Sequence, residues 1–128
     1  RTNFIFLKGY SETISLSLYS SGDLFLMPSS FEPCGISQML AMRAGQPCLV
    51  HSVGGLNDTV RDGEDGFAFN GASLQQQAEN MIVSFEAAVQ LKLEDPAQWQ
   101  RISSSAAAAR FLWSDVADEV VRSLYTTS

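Results

Sequence analysis

The segment from Asp23 to Gly55 constrains this chain more than any other. An apolar run, Asp23-Leu-Phe-Leu-Met27, stops at Pro28, and a short loop with one acid, Glu32, follows. Gly35 then opens a segment with apolar residues at Ile36, Met39 and Leu40, and Gly45 closes it as a helix C-terminal glycine does. A second apolar run, Pro47 to Val50, leads to the pair Gly54-Gly55. Strand, acidic loop, helix, strand and glycine loop is the order of a parallel sheet with crossover helices, and it brings both loops to one edge of that sheet. A helix start at that edge has free backbone N–H groups and a partial positive charge, which suits a phosphate. Glu32 repels a phosphate, so it should face something else, such as a sugar hydroxyl or a cationic transition state.

The flanking segments fit the same class. Phe4-Ile-Phe-Leu7 is a continuous apolar run consistent with a buried strand. Ser11 suits a helix cap, but Thr13 to Tyr19 alternates with period two, which favours a strand; periodicity leaves both open. Asn57 to Val60 allows a short helical turn, with Asp58 as its cap. Asp62 to Gly66 is a turn cluster, and Phe67-Ala-Phe69 a brief extended piece. Ser73 with Gln76 has capping-box spacing, ahead of a stripe formed by Leu74, Ala78, Met81, Ile82, Phe85 and Val89. Asp95-Pro96 caps a further helix that carries Trp99 and Ile102. A last helix opens at Ser114 with Val116, Val120, Val121 and Leu124 inward. Met39, Met42, Trp99 and Trp113 read as core, and His51 as structural or incidental. The fold class is therefore α/β, a Rossmann-like parallel sheet of three or four strands with flanking helices, truncated at its N-terminal side.

Composition narrows the function. The eight basic residues are scattered singly and the net charge is −6, so no basic stripe invites nucleic acid. The acids sit mostly in loops and helix starts, the ordinary solvated placement. Cys34 and Cys48 lie in unlike contexts, without Cys/His metal spacing, and read as reduced thiols of a cytoplasmic protein. No apolar run reaches the length of a membrane span, and no signal-peptide pattern precedes the first strand. A start at Arg1, directly before an apolar run, reads as a piece of a longer polypeptide.

Pro28-Ser-Ser-Phe-Glu-Pro-Cys-Gly-Ile-Ser-Gln38, with Ala41-Met-Arg43 and Gly45, resembles the signature of bacterial glycogen synthases and plant starch synthases. Val53-Gly-Gly-Leu-Asn-Asp-Thr-Val60 and Asp65-Gly-Phe67 continue the resemblance, as do Phe111-Leu-Trp113 and Tyr125. It covers nearly the whole chain. It implies a GT-B glycosyltransferase, two Rossmann-like domains with the donor in the cleft. Residues 1–128 would be the second half of the C-terminal, nucleotide-sugar-binding domain, with 92–128 its C-terminal helices. The implied reaction moves glucose from a nucleotide-glucose, usually ADP-glucose, to the 4-hydroxyl of an α-1,4-glucan, with retention and with no required metal or other cofactor. The implied partners are the donor, the glucan acceptor and the N-terminal GT-B domain.

By position, the resemblance makes Glu32 the loop carboxylate close to the donor glucose. Cys34, Gly35, Ile36 and Ser37 would line the sugar and distal phosphate, and Gly54 and Gly55 would lie near the diphosphate and glucose. The chemistry agrees: helix-end N–H groups at a leaving diphosphate act as an oxyanion hole, and a carboxylate stabilises an oxocarbenium-like centre. The chain departs from the family's pattern at Ser30, where Arg is usual, at Leu40, where Tyr or a ribose-contacting Glu is common, and at His51-Ser52, often basic. The upstream Lys and Arg that hold the donor phosphates in the family are absent from this chain, so alone it is expected to be inactive. A related transferase using another nucleotide sugar, or a catalytically dead module that holds a nucleotide sugar or glycan, are the alternatives.

Overall fold

A computed structural model describes residues 3–125. Three parallel strands form the sheet in the order β1 (Phe25–Met27), β2 (Cys48–His51), β3 (Gly66–Phe69). The register pairs Leu26 with Leu49, Leu49 with Phe67, and His51 with Phe69. β2 lies between the other two and is buried at every residue, as a doubly covered parallel strand must be.

Alternation along β2 divides the interior in two. Cys48 and Val50 face a cluster with Ala41, Met42, Leu56, Val60 and Ala106. These come from α2 (Ser37–Arg43), α3 (Gly54–Thr59) with Val60 just after it, and α5 (Pro96–Ala108). Leu49 turns the other way, toward Met81, Ile82 and Phe85 of α4 (Leu74–Glu94). His51 stacks on Phe69 on that side, with ring centroids 5.1 Å apart. Phe67 stacks on Trp99 at 5.8 Å, and Lys92 lies over the same indole while pairing with Asp23.

Local chemistry sets the helix ends. The Ser73 hydroxyl accepts from the Gln76 N–H at 3.2 Å, and Gln76 Oε1 reaches back to the Ala72 N–H at 2.8 Å, a capping box displaced by one residue. Asp95 Oδ1 accepts from the Gln98 N–H at 2.9 Å, with Pro96 at the first helical position. Gly45, at φ +82°, closes α2.

Several expectations change. Thr13–Tyr19 lies in α1 (Glu12–Ser21): the Ser11 hydroxyl accepts from the Ile14 N–H, and this cap prevails over a period-two pattern built from small serines. Phe4–Leu7 is not a strand. It runs exposed, because no described segment lies alongside to complete its hydrogen bonds. α2 begins at Ser37, two residues after Gly35. Gly54 and Gly55 are the first turn of α3, and Asp58 lies near that helix's end instead of capping it. The α4 stripe meets the sheet through Met81, Ile82 and Phe85, yet Leu74 stays exposed and only Ala88 is fully buried. α6 (Trp113–Tyr125) is amphipathic as expected, but Val116, Val120, Val121 and Leu124 are not inward, and Trp113 is 87% exposed.

One acid departs from the solvated placement. Asp65, 1% exposed, accepts from the Arg61 backbone N–H at 2.7 Å and from its guanidinium at 2.7 and 2.8 Å. With Asp62 Oδ1 accepting from the Ala68 N–H, it shapes the turn into β3.

Candidate active site

Because the three strands are parallel, the segments after Met27, His51 and Phe69 leave the sheet at one edge. The first carries Glu32 and runs into α2. The second, only Ser52 and Val53, runs into α3. The Ser52 N–H donates to Phe69 O at 2.8 Å, which ties this turn to the end of β3. His51 Nδ1–H donates to Ser29 O at 2.9 Å and anchors the start of the Glu32 loop. His51 is thus a structural residue of the site.

The two loops meet backbone to backbone. The Gly55 N–H donates to Glu32 O at 3.1 Å. A Cβ on Gly54 would fall 2.1 Å from Glu32 O, and one on Gly55 would fall 2.4 Å from Cys34 O. Only glycine permits this approach, and Gly54 also takes φ +46°. Gly35, at φ +73°, turns the loop into α2. The structure therefore brings Glu32, Cys34, Gly35, Gly54 and Gly55 together at the carboxyl edge, with Ile36 and Ser37 opening α2 beside them.

Glu32 is half-buried, and among the described residues its carboxylate has no hydrogen bond or ion pair. Cys34 and Ile36 are exposed, and Gly35 and Ser37 half-buried. Neither α2 nor α3 has a side-chain cap; in α3 the Gly55 and Leu56 N–H groups are taken by Glu32 O and Val53 O, whereas the start of α2 leaves N–H groups for another acceptor. Two grooves flank the edge. One of about 270 Å³ is lined by Pro28, Ser30, His51 and Phe69 with α4 residues. The other, about 500 Å³, is lined by Cys34 and Met39 against Arg110–Trp113. No cluster of three or more His, Cys, Asp or Glu suited to a metal ion occurs among the described residues. No described helix is long and apolar enough to cross a membrane.

Two contributors escaped the sequence reading. Gln38 is fully buried under the Glu32 loop, and Thr59 joins it from α3. The available signal was an uncharged amide within the apolar turn that follows Gly35, four residues after Cys34. His51, read as structural or incidental, is structural, though its sequence context gave no sign of the bond to Ser29 O.

With this geometry in place, comparison decides the family. The pattern described as "Glycosyl transferases group 1" matches residues 1–101. The chain belongs to that family. Its resemblance to glycogen and starch synthases holds: it is 37% identical over 129 residues to the glycogen synthase of Desulfitobacterium hafniense, covering 94% of this chain and 27% of the relative. Identity to the glycogen synthase of Streptococcus sanguinis is 38% over 122 residues, 91% of this chain and 25% of the relative. The catalytic domain of starch synthase IV from Arabidopsis thaliana, solved bound to ADP and acarbose, superposes with a TM-score of 0.78 at 34% identity, covering 88% of this chain and 24% of that one. The fold is thus that of GT-B glycosyltransferases, and the chain spans about a quarter of the length of the curated relatives it matches.

Proposed function

We propose that this group 1 chain is the second half of the C-terminal domain of a retaining GT-B glucosyltransferase of the glycogen and starch synthase type. Residues 1–128 supply the donor side of the cleft, the helices from 92 onward its C-terminal end, and an N-terminal domain the opposite wall. The substrates are a nucleotide-glucose, ADP-glucose by kinship, and the 4-hydroxyl end of an α-1,4-glucan. The protein works in the cytoplasm. The observation that carries this reading is the junction at the carboxyl edge, where a carboxylate with no partner among the described residues stands on a loop locked against Gly54-Gly55.

The division of labour follows from charge. The glucosyl–phosphate bond breaks toward the diphosphate, which gains negative charge while the sugar gains positive charge. Backbone N–H groups of Gly35, Ile36 and Ser37 serve the diphosphate, and Gly54 and Gly55 lie near the diphosphate and glucose. Each charge-assisted hydrogen bond contributes roughly 1.5–3 kcal/mol, and a helix end ~0.3–2 kcal/mol more. Cys34 borders the sugar. Glu32 serves the sugar's developing charge, because a carboxylate so near the diphosphate otherwise weakens donor binding.

The test is glucose transfer to a glucan primer by the full-length protein. Glu32→Ala is expected to lower kcat about 10²-fold or more with a smaller change in donor KM, as for a group acting mainly in the transition state. Unchanged kcat would make Glu32 a solvated loop acid and favour a module that binds nucleotide sugar without catalysis.

A further inference from the structure

The Glu32 loop and the start of α3 are joined by more than one contact, and the contacts close a ring. The Gly55 N–H donates to Glu32 O at 3.1 Å. The Gly55 carbonyl accepts the Thr59 hydroxyl at 2.7 Å. Having spent its proton there, that hydroxyl accepts from Gln38 Nε2 at 3.2 Å. Gln38 Nε2 also donates to Cys34 O at 3.1 Å and to Gly35 O at 2.9 Å. All three neighbours of Nε2 are acceptors, which fixes the orientation of the amide. Residues 32 to 35 are thus held at one end by Gly55 and at the other by Gln38, and Thr59 links the two anchors.

Gln38 is an uneconomical way to fill this space. Its side chain is completely buried, and Oε1 has no hydrogen-bond partner. An orphaned buried carbonyl is unfavourable, and it offsets part of what the donated bonds contribute to stability. What the amide adds is geometry: it is the single side chain that grips both Cys34 O and Thr59 across the junction. We propose that Gln38 is a positioning residue that sets the Glu32 loop against α3 and so places the carboxylate for sugar transfer. This rests on the transfer reading above.

The experiment uses the full-length protein. Gln38→Met keeps the volume and removes both donors. Small misplacements at a reacting centre are enough to lower turnover severely, so kcat is expected to fall about 10-fold or more with donor KM held within about threefold. In a Glu32→Ala background the same change is expected to alter kcat less than about twofold, because nothing remains to be positioned. Thr59→Val cuts the ring from α3 without touching α2 and is expected to reproduce the split; it decides the matter if Gln38→Met fails to fold. Equal losses in both backgrounds, or a rise in KM with kcat unchanged, would overturn the proposal. If the unaltered protein transfers no sugar, the transfer reading fails separately, and the ring is then judged by hydrogen exchange. Faster exchange of the Gly55 amide in Gln38→Met, at an unchanged global unfolding midpoint, would support the anchoring; unchanged protection would refute it.

Discussion

Single residues at the junction make sharply different demands. Gly54 and Gly55 have carbonyl oxygens where a Cβ would sit, whereas Gly63, also at positive φ (+74°), has nothing within 4 Å. Gly55→Ala must displace the Glu32 loop and is expected to lower stability by ~1–3 kcal/mol, the usual range for overpacking. Gly63→Ala meets only the left-handed backbone preference and should lose ~1 kcal/mol. Urea unfolding of the two variants separates them, and equal losses would refute the close approach. The cysteines differ as strongly. Burial, and then the charge of Asp65, push the Cys48 thiol from an ordinary value of 9.0 up to about 12. Above pH 9 the unfolded chain's thiol ionises while the folded one keeps its proton. The unfolded state therefore gains, and stability contributed below pH 9 is lost up to about pH 12. The slope from this group approaches ~1.4 kcal/mol per pH unit, and Cys48→Ala should remove it from the pH dependence of urea unfolding. A thiol reagent is expected to modify exposed Cys34 in the folded protein and reach Cys48 only after unfolding, as mass spectrometry of the labelled peptides would show.

At the level of elements, α5 is the buttress of the site. Ile102 and Ala106 are buried, Ala106 in the cluster that holds α2, and Ser103 donates to Gly45 O at the end of α2. Ile102→Ala is expected to destabilise by ~2–5 kcal/mol, read from denaturant unfolding, because the side chain removed is buried and leaves a cavity. Elements whose ends are written in local chemistry were legible in the sequence. Ser73 and Asp95 cap where they were expected, and Gly45 ends α2. The parallel order of β1 and β2 was legible too, since a strand, helix and strand in that order have few other solutions. Thr13 to Tyr19 misled because a short alternating pattern fits either period, and only the Ser11 cap distinguishes them. α6 misled differently: periodicity reports that a helix has an apolar face, and says nothing of what covers it. At the site, glycines and the lone acid stood out as residue types, so Glu32, Gly35, Gly54 and Gly55 were legible as neighbours. His51 acts through a carbonyl far back in the chain, Gln38 meets Thr59 from another helix, and pattern alone cannot locate such partners.

The whole molecule wears much of its apolar surface outside. Phe4–Leu7, Val116, Val121, Leu124 and Trp113 all stand more than half exposed. Surface of this kind in a soluble protein is normally covered, so the isolated 128-residue chain is expected to self-associate in light scattering as concentration rises. Replacing Val116, Val121 and Leu124 by Ser should suppress that association without unfolding the sheet, as none of the three belongs to the buried core. The junction of Glu32 with Gly54-Gly55 has a consequence for redesign. Positions 54 and 55 admit no side chain, and Glu32 holds the junction through its backbone, so a library that randomises the two glycines mostly samples broken proteins. Ser30 and Leu40 are exposed, and neither takes part in that junction. Anyone reworking this scaffold has room to mutate at those two positions, while the glycines leave none.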